Sequence, residues 1–257
     1  MSLPIESENR TLDTDDQPDL DVDLSRTVVL IPVLNEEDSI GLVLAALPTV
    51  MEVVVCDNGS TDQSAEIAKQ NQATVLLEKK RGYGAACLKG LKYLEEKIPD
   101  EQPEIVVFID GDFSDHPEEI VSLVSEIQNR DFEFVVGSRM TGNREKGAML
   151  FQAIFGNWLA CFLMRLFWGA NYTDLGPFRA IRYAALRQLD MQDLNFGWTI
   201  EMQIKATEKK LRATEVPVSY RCRIGQSKIS GTIMGSIRAG YKILYTIFRF
   251  RFARPKA

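Results

Sequence analysis

Residues 104–117 read EIVVFIDGDFSDHP. The apolar run Ile105–Ile109 passes directly into Asp110-Gly111-Asp112. A short unbroken run rich in β-branched residues predicts a strand buried on both faces, as in a parallel sheet. Carboxylates at the end of such a strand fall where open α/β sheets bind their ligands. The neighbouring segments have the same grammar. Thr27–Leu34 is a second buried strand, ending in Asn35-Glu36, and Asp38–Leu47 reads as a helix stopped by Pro48. Glu52–Cys56 is a strand closed by the turn Asp57-Asn58-Gly59-Ser60. Helices over Thr61–Gln70, Gly84–Lys97 and Pro117–Asn129 alternate with strands at Thr74–Glu78 and Phe134–Gly137. This alternation predicts an α/β fold, a doubly wound and mostly parallel sheet flanked by helices.

The texture changes after Arg139. Ala148–Ala170 is very apolar, yet Gln152, Asn157 and Arg165 interrupt it. Those polar residues favour an interfacial or buried helix pair over a membrane span. A helix over Trp198–Lys209 and a strand over Ala213–Tyr220 follow. Ile233–Phe250 reads as a basic, aromatic amphipathic helix.

Charge is unevenly spread. The net charge is −6, but residues 1–25 carry −7 and residues 221–257 carry +9. Too few large apolar residues occupy the acidic leader to offset its ordering entropy, so 1–25 is expected to be a disordered tail. The folded domain is then expected over 26–232, with 233–257 as a basic C-terminal helix. A cationic end rich in aromatics fits an anionic lipid surface. The acidic body and the lack of a nucleic-acid-binding motif argue against nucleic acid as partner. Cys56, Cys87, Cys161 and Cys222 form no CxxC pair, so neither a zinc site nor a disulfide framework is expected, and a cytoplasmic setting is the simplest reading. The polar, acidic N-terminus does not read as a signal peptide.

Chemistry concentrates at the strand ends. Asp110 and Asp112 suit a divalent cation that bridges a diphosphate, and Gly111 between them permits close backbone approach. The alternative is an ordinary solvated turn. His116, the only histidine, is either a metal ligand or a helix-start residue. The stretch Lys79-Lys80-Arg81-Gly82-Tyr83-Gly84 sets cations and glycines at a helix start, which suits phosphate, or is a tight turn with a solvated basic patch.

Taken in order, VLIPVLNEE (29–37), DNGSTD (57–62), residues 81–89, FIDGDFSDHP (108–117) and VGSRM (136–140) resemble the family 2 glycosyltransferases of the GT-A fold. TDLGPFRAIRY (173–183), GWTIEMQIK (197–205) and EVPVSYRCRIGQSKISG (215–231) are similar to the dolichyl-phosphate mannose synthase and polyprenyl-phosphate glycosyltransferase branch. The resemblance implies roles. Pro32, Asn35 and Glu36 would line the base and ribose of a nucleotide sugar, and Asp57 would hydrogen-bond the base. Lys80 and Gly82 would lie by the phosphates. Asp110 and Gly111 would sit by the ribose and metal, with Asp110 and Asp112 holding Mg²⁺ or Mn²⁺. Arg139 would approach an acceptor phosphate, and Asp174 would lie near the reacting sugar as base or orienting group. Arg223, Ser227 and Lys228 would belong to a loop closing over the diphosphate. Two departures stand out: Asp-Leu-Gly-Pro-Phe-Arg at 174–179 where the family has Asp-Leu-Thr-Gly-Ser-Phe-Arg, and Gly111 where Ala is more frequent.

The implied function is metal-dependent, inverting transfer of a hexose from a UDP- or GDP-sugar to a polyprenyl phosphate by a peripheral membrane enzyme. A soluble or cell-envelope hydroxyl acceptor is the alternative. A non-catalytic nucleotide-binding module would have no need of Asp112 or of the Arg223–Lys228 segment.

Overall fold

The computed structural model describes residues 22–225 and 233–253. The sheet is built from β1 (Thr27–Val33), β2 (Glu52–Asp57), β3 (Thr74–Leu77), β4 (Ile105–Phe108), β5 (Phe134–Ser138), β6 (Arg179–Arg182) and β7 (Ala213–Pro217). The helices are α1 (Ile40–Ala46), α2 (Ser64–Gln70), α3 (Tyr83–Glu95), α4 (Ile120–Asn129), α5 (Phe151–Trp168), α6 (Tyr183–Leu189), α7 (Trp198–Glu208) and α8 (Ile233–Phe252). The strands form one seven-stranded sheet in the order β3-β2-β1-β4-β6-β5-β7. All neighbours are parallel except β6, which runs antiparallel to both β4 and β5.

Alternation along each strand divides the core. Val29, Ile31 and Val33 pack on one face with α1 and α4, while Val28 and Leu30 pack on the other with α3 and α6. A third cluster joins α5, α7 and α8 through Cys161, Met164, Ile200, Ile204 and Ile247. The four cysteines are free, three of them buried.

Pro32 opens the functional crevice. Proline lacks the N–H a central strand needs. The β1–β4 pairing ends at Leu30–Phe108, whereas β1–β2 continues to Val33–Asp57. Pro32 therefore lies where β1 has lost its neighbour on one side, and the gap beyond β4 is where Asp110 begins.

Several expectations change. The strand β6 and helix α6 are additional elements, absent from the sequence reading. Ala148–Ala170 is not a helix pair but one helix, α5, ended by Gly169 in the left-handed conformation (φ 70°). Its polar interruptions have separate jobs. Asn157 is buried and bridges the Thr173 carbonyl and the Leu175 N–H, at 2.9 and 2.8 Å. Gln152 faces a cavity, and Arg165 is exposed. Among the described residues, no helix is long and apolar enough to cross a membrane. Residues 1–21 of the expected acidic tail lie outside the described residues. Within its last residues Leu24 is buried, and Asp23 exchanges two hydrogen bonds with the Gln128 side chain. The body of the protein thus starts before Thr27.

The C-terminal helix α8 also differs from its expected layout. The sequence places Ile237, Leu244 and Phe248 together on an apolar face. The structure buries Thr246 and Ile247 and half-buries Ile243 and Phe250 against α5 and α7. Phe248 stays largely exposed, stacked on Phe252 and edge-on to Phe167. The side chain of Ile237 lies outside the described residues.

Candidate active site

The crevice beyond β1 and β4 holds two cavities that meet. One, of about 310 Å³, is lined by Pro32, Val33, Leu34, Glu36, Asn58, Arg81, Gly82, Tyr83, Ala86, Asp110, Gly111, Asp112, Asn195, Phe196 and Arg223. The other, of about 720 Å³, runs from Asp110, Asp112, Arg139 and Tyr220 outward between α5 and α8. Tyr83, Asp110, Asp112, Phe196 and Arg223 belong to both.

Asp110 and Asp112 lie close enough for the charge of one to act on the other. Burial, then the charge of Asp112, pushes the Asp110 carboxyl up to about 7. The Tyr83 hydroxyl donates to Asp110 Oδ1 at 3.1 Å. Asp112 accepts from the Ser114 N–H and hydroxyl through Oδ1, and its Oδ2 lies 3.2 Å from Arg223 Nη1. Arg223 also donates to Glu36 at 2.8 Å, so one guanidinium clips the first strand's acid to the fourth strand's acid. Gly111 is packed tightly, since an added methyl would come within 3.0 Å of Val33 Cγ2.

These carboxylates fit a divalent cation in part. Among the described residues no three His, Cys, Asp or Glu side chains are grouped to hold a metal. Two crowded carboxylates would therefore supply one side of the coordination, and phosphate oxygens and water the rest, as is usual for Mg²⁺. His116 is not part of this group. Its Nδ1 lies 3.0 Å from Glu118 Oε1, immediately before a 3-10 turn, which is the helix-start position.

The Gly82–Gly84 stretch is held from two sides. The Asn58 side chain donates to the Glu78 and Lys80 carbonyls and accepts from the Gly82 N–H at 2.7 Å. The 193–195 segment presses on the glycines from the other side. A Cβ on Gly82 would lie 2.0 Å from the Leu194 oxygen, and one on Gly84 1.9 Å from the Asp193 oxygen, so no larger residue fits. Asp193 is pinned in turn by Lys242 of α8 at 2.7 Å.

At the other end of the crevice Asp174 is fully buried. It accepts from Arg139 N–H, Nε and Nη2 at 2.8, 2.8 and 2.7 Å. Behind it, Glu215 accepts from Thr173 and from the Asp174 N–H. The Arg139 guanidinium lies over the Tyr220 ring. Arg179, also buried, donates to the carbonyls of Leu175, Gly176 and Thr199, fixing the 174–178 turn, and burial lowers its pKa to about 10.

Of the residues singled out from sequence, the crevice gathers Pro32, Glu36, Gly82, Asp110, Gly111, Asp112, Arg139 and Arg223. Asn35, Asp57 and Lys80 line neither cavity. Asn35 and Asp57 brace the 58–61 turn, through hydrogen bonds to Ser60 and Thr61, and Lys80 is exposed. Asp174 is withdrawn behind Arg139. Ser227 and Lys228 lie outside the described residues. Sequence reasoning missed Asn58, Tyr83, Asn195 and Phe196 as lining residues. Tyr83 stood in the singled-out basic stretch, whereas Asn195 and Phe196 carry no local signal.

The family model described as Glycosyl transferase family 2 matches residues 28–189. This chain belongs to that family. It is 34% identical over 215 residues to an uncharacterised glycosyltransferase of Mycobacterium tuberculosis, covering 82% of this chain and 93% of the relative. It is 31% identical over 220 residues to the low-salt glycan biosynthesis hexosyltransferase of Haloferax volcanii, covering 81% of this chain and 51% of that protein. Among solved structures, glucosyl-3-phosphoglycerate synthase of Mycobacterium tuberculosis, crystallised with Mn²⁺, UDP and glucosyl-3-phosphoglycerate, superposes with a TM-score of 0.70 at 19% identity. The superposition covers 90% of this chain and 82% of that one, and shows that this glycosyltransferase has the same mostly parallel GT-A architecture.

Proposed function

We propose that this glycosyltransferase moves a hexose from a nucleoside-diphosphate sugar to a polyprenyl phosphate at a membrane surface. One observation carries the reading. The smaller cavity meets the larger one at Asp110, Asp112 and Arg223, and the larger one is lined by α5 and α8 through Ala153, Gly156, Ala239 and Ile243, with Gln152 and Asn157 beside them. A charged head beside Arg139 and an apolar tail between two helices describe a lipid phosphate.

The outer faces of those helices support the membrane. Phe155, Trp158 and Phe162 form an exposed aromatic ladder on α5, and Tyr241, Tyr245, Phe248 and Phe252 are exposed on α8. Arg238, Arg249 and Arg251 are exposed on α8 as well. Aromatics with cations on one surface suit an interfacial helix pair. Lys242, also on α8, is committed to Asp193.

In this reading, an acceptor phosphate oxygen attacks the anomeric carbon, and its bond to the diphosphate breaks on the opposite face with inversion. A bound Mg²⁺ or Mn²⁺ supplies charge stabilisation to the leaving diphosphate. Asp110 and Asp112 would hold that cation and, through it, the diphosphate, and Arg223 turns from Glu36 and Asp112 toward the leaving phosphates. Arg139 positions the acceptor phosphate. That phosphate is already ionised near neutral pH, so no base is required. Asp174, with both oxygens occupied by Arg139, orients that guanidinium.

A further structure of the solved neighbour is in complex with Mn²⁺, UDP and phosphoglyceric acid, which raises a soluble phosphorylated acceptor as a second reading. The test is a transfer assay with UDP- and GDP-hexoses and Mn²⁺, offering a polyprenyl phosphate and a soluble phosphorylated acceptor side by side. Glycolipid formation is expected. Transfer to the soluble acceptor alone overturns the lipid reading.

A further inference from the structure

Glycine within a helix is unfavourable relative to alanine, so a helical glycine calls for a reason. The reason is ordinarily backbone conformation or close packing. Gly82 and Gly84 at the start of α3 have the second. Gly156 in α5 and Gly240 in α8 have neither. Neither is in the positive-φ region. A Cβ built on either meets no atom within 4 Å. Both lie in the interior of their helices, on facing elements, and both line the same 720 Å³ cavity. Ala153 and Ala239 beside them are the next smallest residues on that lining. The room each glycine leaves is room in the cavity.

We propose that Gly156 and Gly240 are specificity-determining residues that set the width of the acceptor groove, so that it admits a flexible, methyl-branched hydrocarbon tail whose phosphate rests by Arg139. This assignment rests on the acceptor reading above and gives the path of the tail and the residues that gauge it. Arg139 and Tyr220 mark the head end of the same cavity, and Ile243 the apolar end. A side chain at either glycine projects into space that the tail needs, without touching the donor cavity, whose lining includes neither helix.

The experiment compares Gly156→Leu and Gly240→Leu with Gly156→Ala and Gly240→Ala. Leucine is expected to raise KM for a polyprenyl phosphate by at least about tenfold while leaving kcat little changed, the signature of lost ground-state binding. Affinity for UDP and GDP with Mn²⁺ is expected to stay within about twofold of wild type, because no residue of α5 or α8 lines the donor cavity. The alanine variants are expected to melt at or above the wild-type temperature, since a methyl there meets open space. Occupancy is read independently by Gly156→Cys and Gly240→Cys in a Cys222→Ser background, with maleimide labelling slowed by added polyprenyl phosphate. That second readout stands even where a leucine variant does not fold. Leucine variants with wild-type KM, or cysteines labelled equally with and without the lipid, overturn the groove while wild-type transfer to the lipid upholds the acceptor reading. No transfer to any polyprenyl phosphate by the wild-type enzyme overturns that reading first, and the groove assignment with it.

Discussion

Arg139 and Asp174 form a bidentate pair, with Nη2 to Oδ1 at 2.7 Å and Nε to Oδ2 at 2.8 Å, and the carboxylate has no exposed surface. Such a carboxylate cannot reach a substrate proton unless the pair opens. Removing one member of a buried pair leaves the other uncompensated, at a cost of about 3–5 kcal/mol. Asp174→Asn is therefore expected to lower the melting temperature by at least about 5 °C, followed by circular dichroism. An orienting group predicts this loss. A variant with unchanged melting temperature and no turnover would favour a free base instead.

Asp112 stands differently. Its Oδ1 is satisfied by Ser114, while Oδ2 faces Arg223 and the crevice. Asp112→Asn is expected to lower kcat at least about a hundredfold, or about 2.7 kcal/mol of transition-state stabilisation. The melting temperature should hold, because the Ser114 contacts survive in Asn. Full turnover at saturating Mn²⁺ would remove Asp112 from the metal site.

Asp110 holds its proton more tightly folded than unfolded, since burial and Asp112 push its carboxyl up to about 7 from an ordinary 3.8. A raised carboxyl pKa means that stability falls as pH rises through that window, and the loss is complete above it. Asp110→Asn, which stays neutral, is expected to melt at least about 2 °C above wild type at pH 8 without metal. At pH 4 the two should converge. Thermal scans in EDTA across this range check it, and an equal difference at both ends of the range would contradict it.

The N-terminal boundary has a stability consequence. Burying a leucine contributes about 1.5–3 kcal/mol. Deletion through Ser25 removes Leu24 and the Asp23–Gln128 exchange, and is expected to lower the melting temperature by about 3 °C or more. Deletion through residue 20, which spares them, is the comparison. Equal melting of the two truncations would show that Leu24 contributes nothing.

For the membrane surface, Arg238, Arg249 and Arg251 are replaced together by Gln. Each cation near an anionic leaflet is worth about 1 kcal/mol, so liposome affinity should fall about a hundredfold. Trp158→Ser and Phe162→Ser test the apolar half, with salt-insensitive loss expected. Sedimentation with phosphatidylglycerol vesicles reads both. Absence of wild-type binding at low ionic strength would return α5 and α8 to a soluble enzyme.

Local sequence was enough for the α/β alternation, the strand-end acids and the family. A buried parallel strand must be apolar almost throughout, and a diphosphate site at its end must be polar, so the boundary between Ile109 and Asp110 is written in adjacent residues. β6 escaped because its four residues, Arg-Ala-Ile-Arg, have charged ends that only burial among carbonyls explains: Arg179 is solvated by Leu175, Gly176 and Thr199 oxygens rather than by water. Asn195 and Phe196 escaped for a related reason. They reach the crevice because Asp193 and Leu194 sit against two glycines more than a hundred residues earlier in the chain, and no short-range pattern records that contact.

The sequence by itself determined which residue types gather at the strand ends, since charge and spacing there are local properties. Tertiary structure alone decided which partners each of them meets. It turned Asp174 inward onto Arg139, drew Arg223 across to Glu36 and Asp112, and assigned Asn35 and Asp57 to bracing a turn. It also decided which face of α8 is buried. Burial is a contest among all the apolar surfaces available, and α8 settled against α5 and α7 through Ile243 and Ile247, leaving its aromatic edge to the outside.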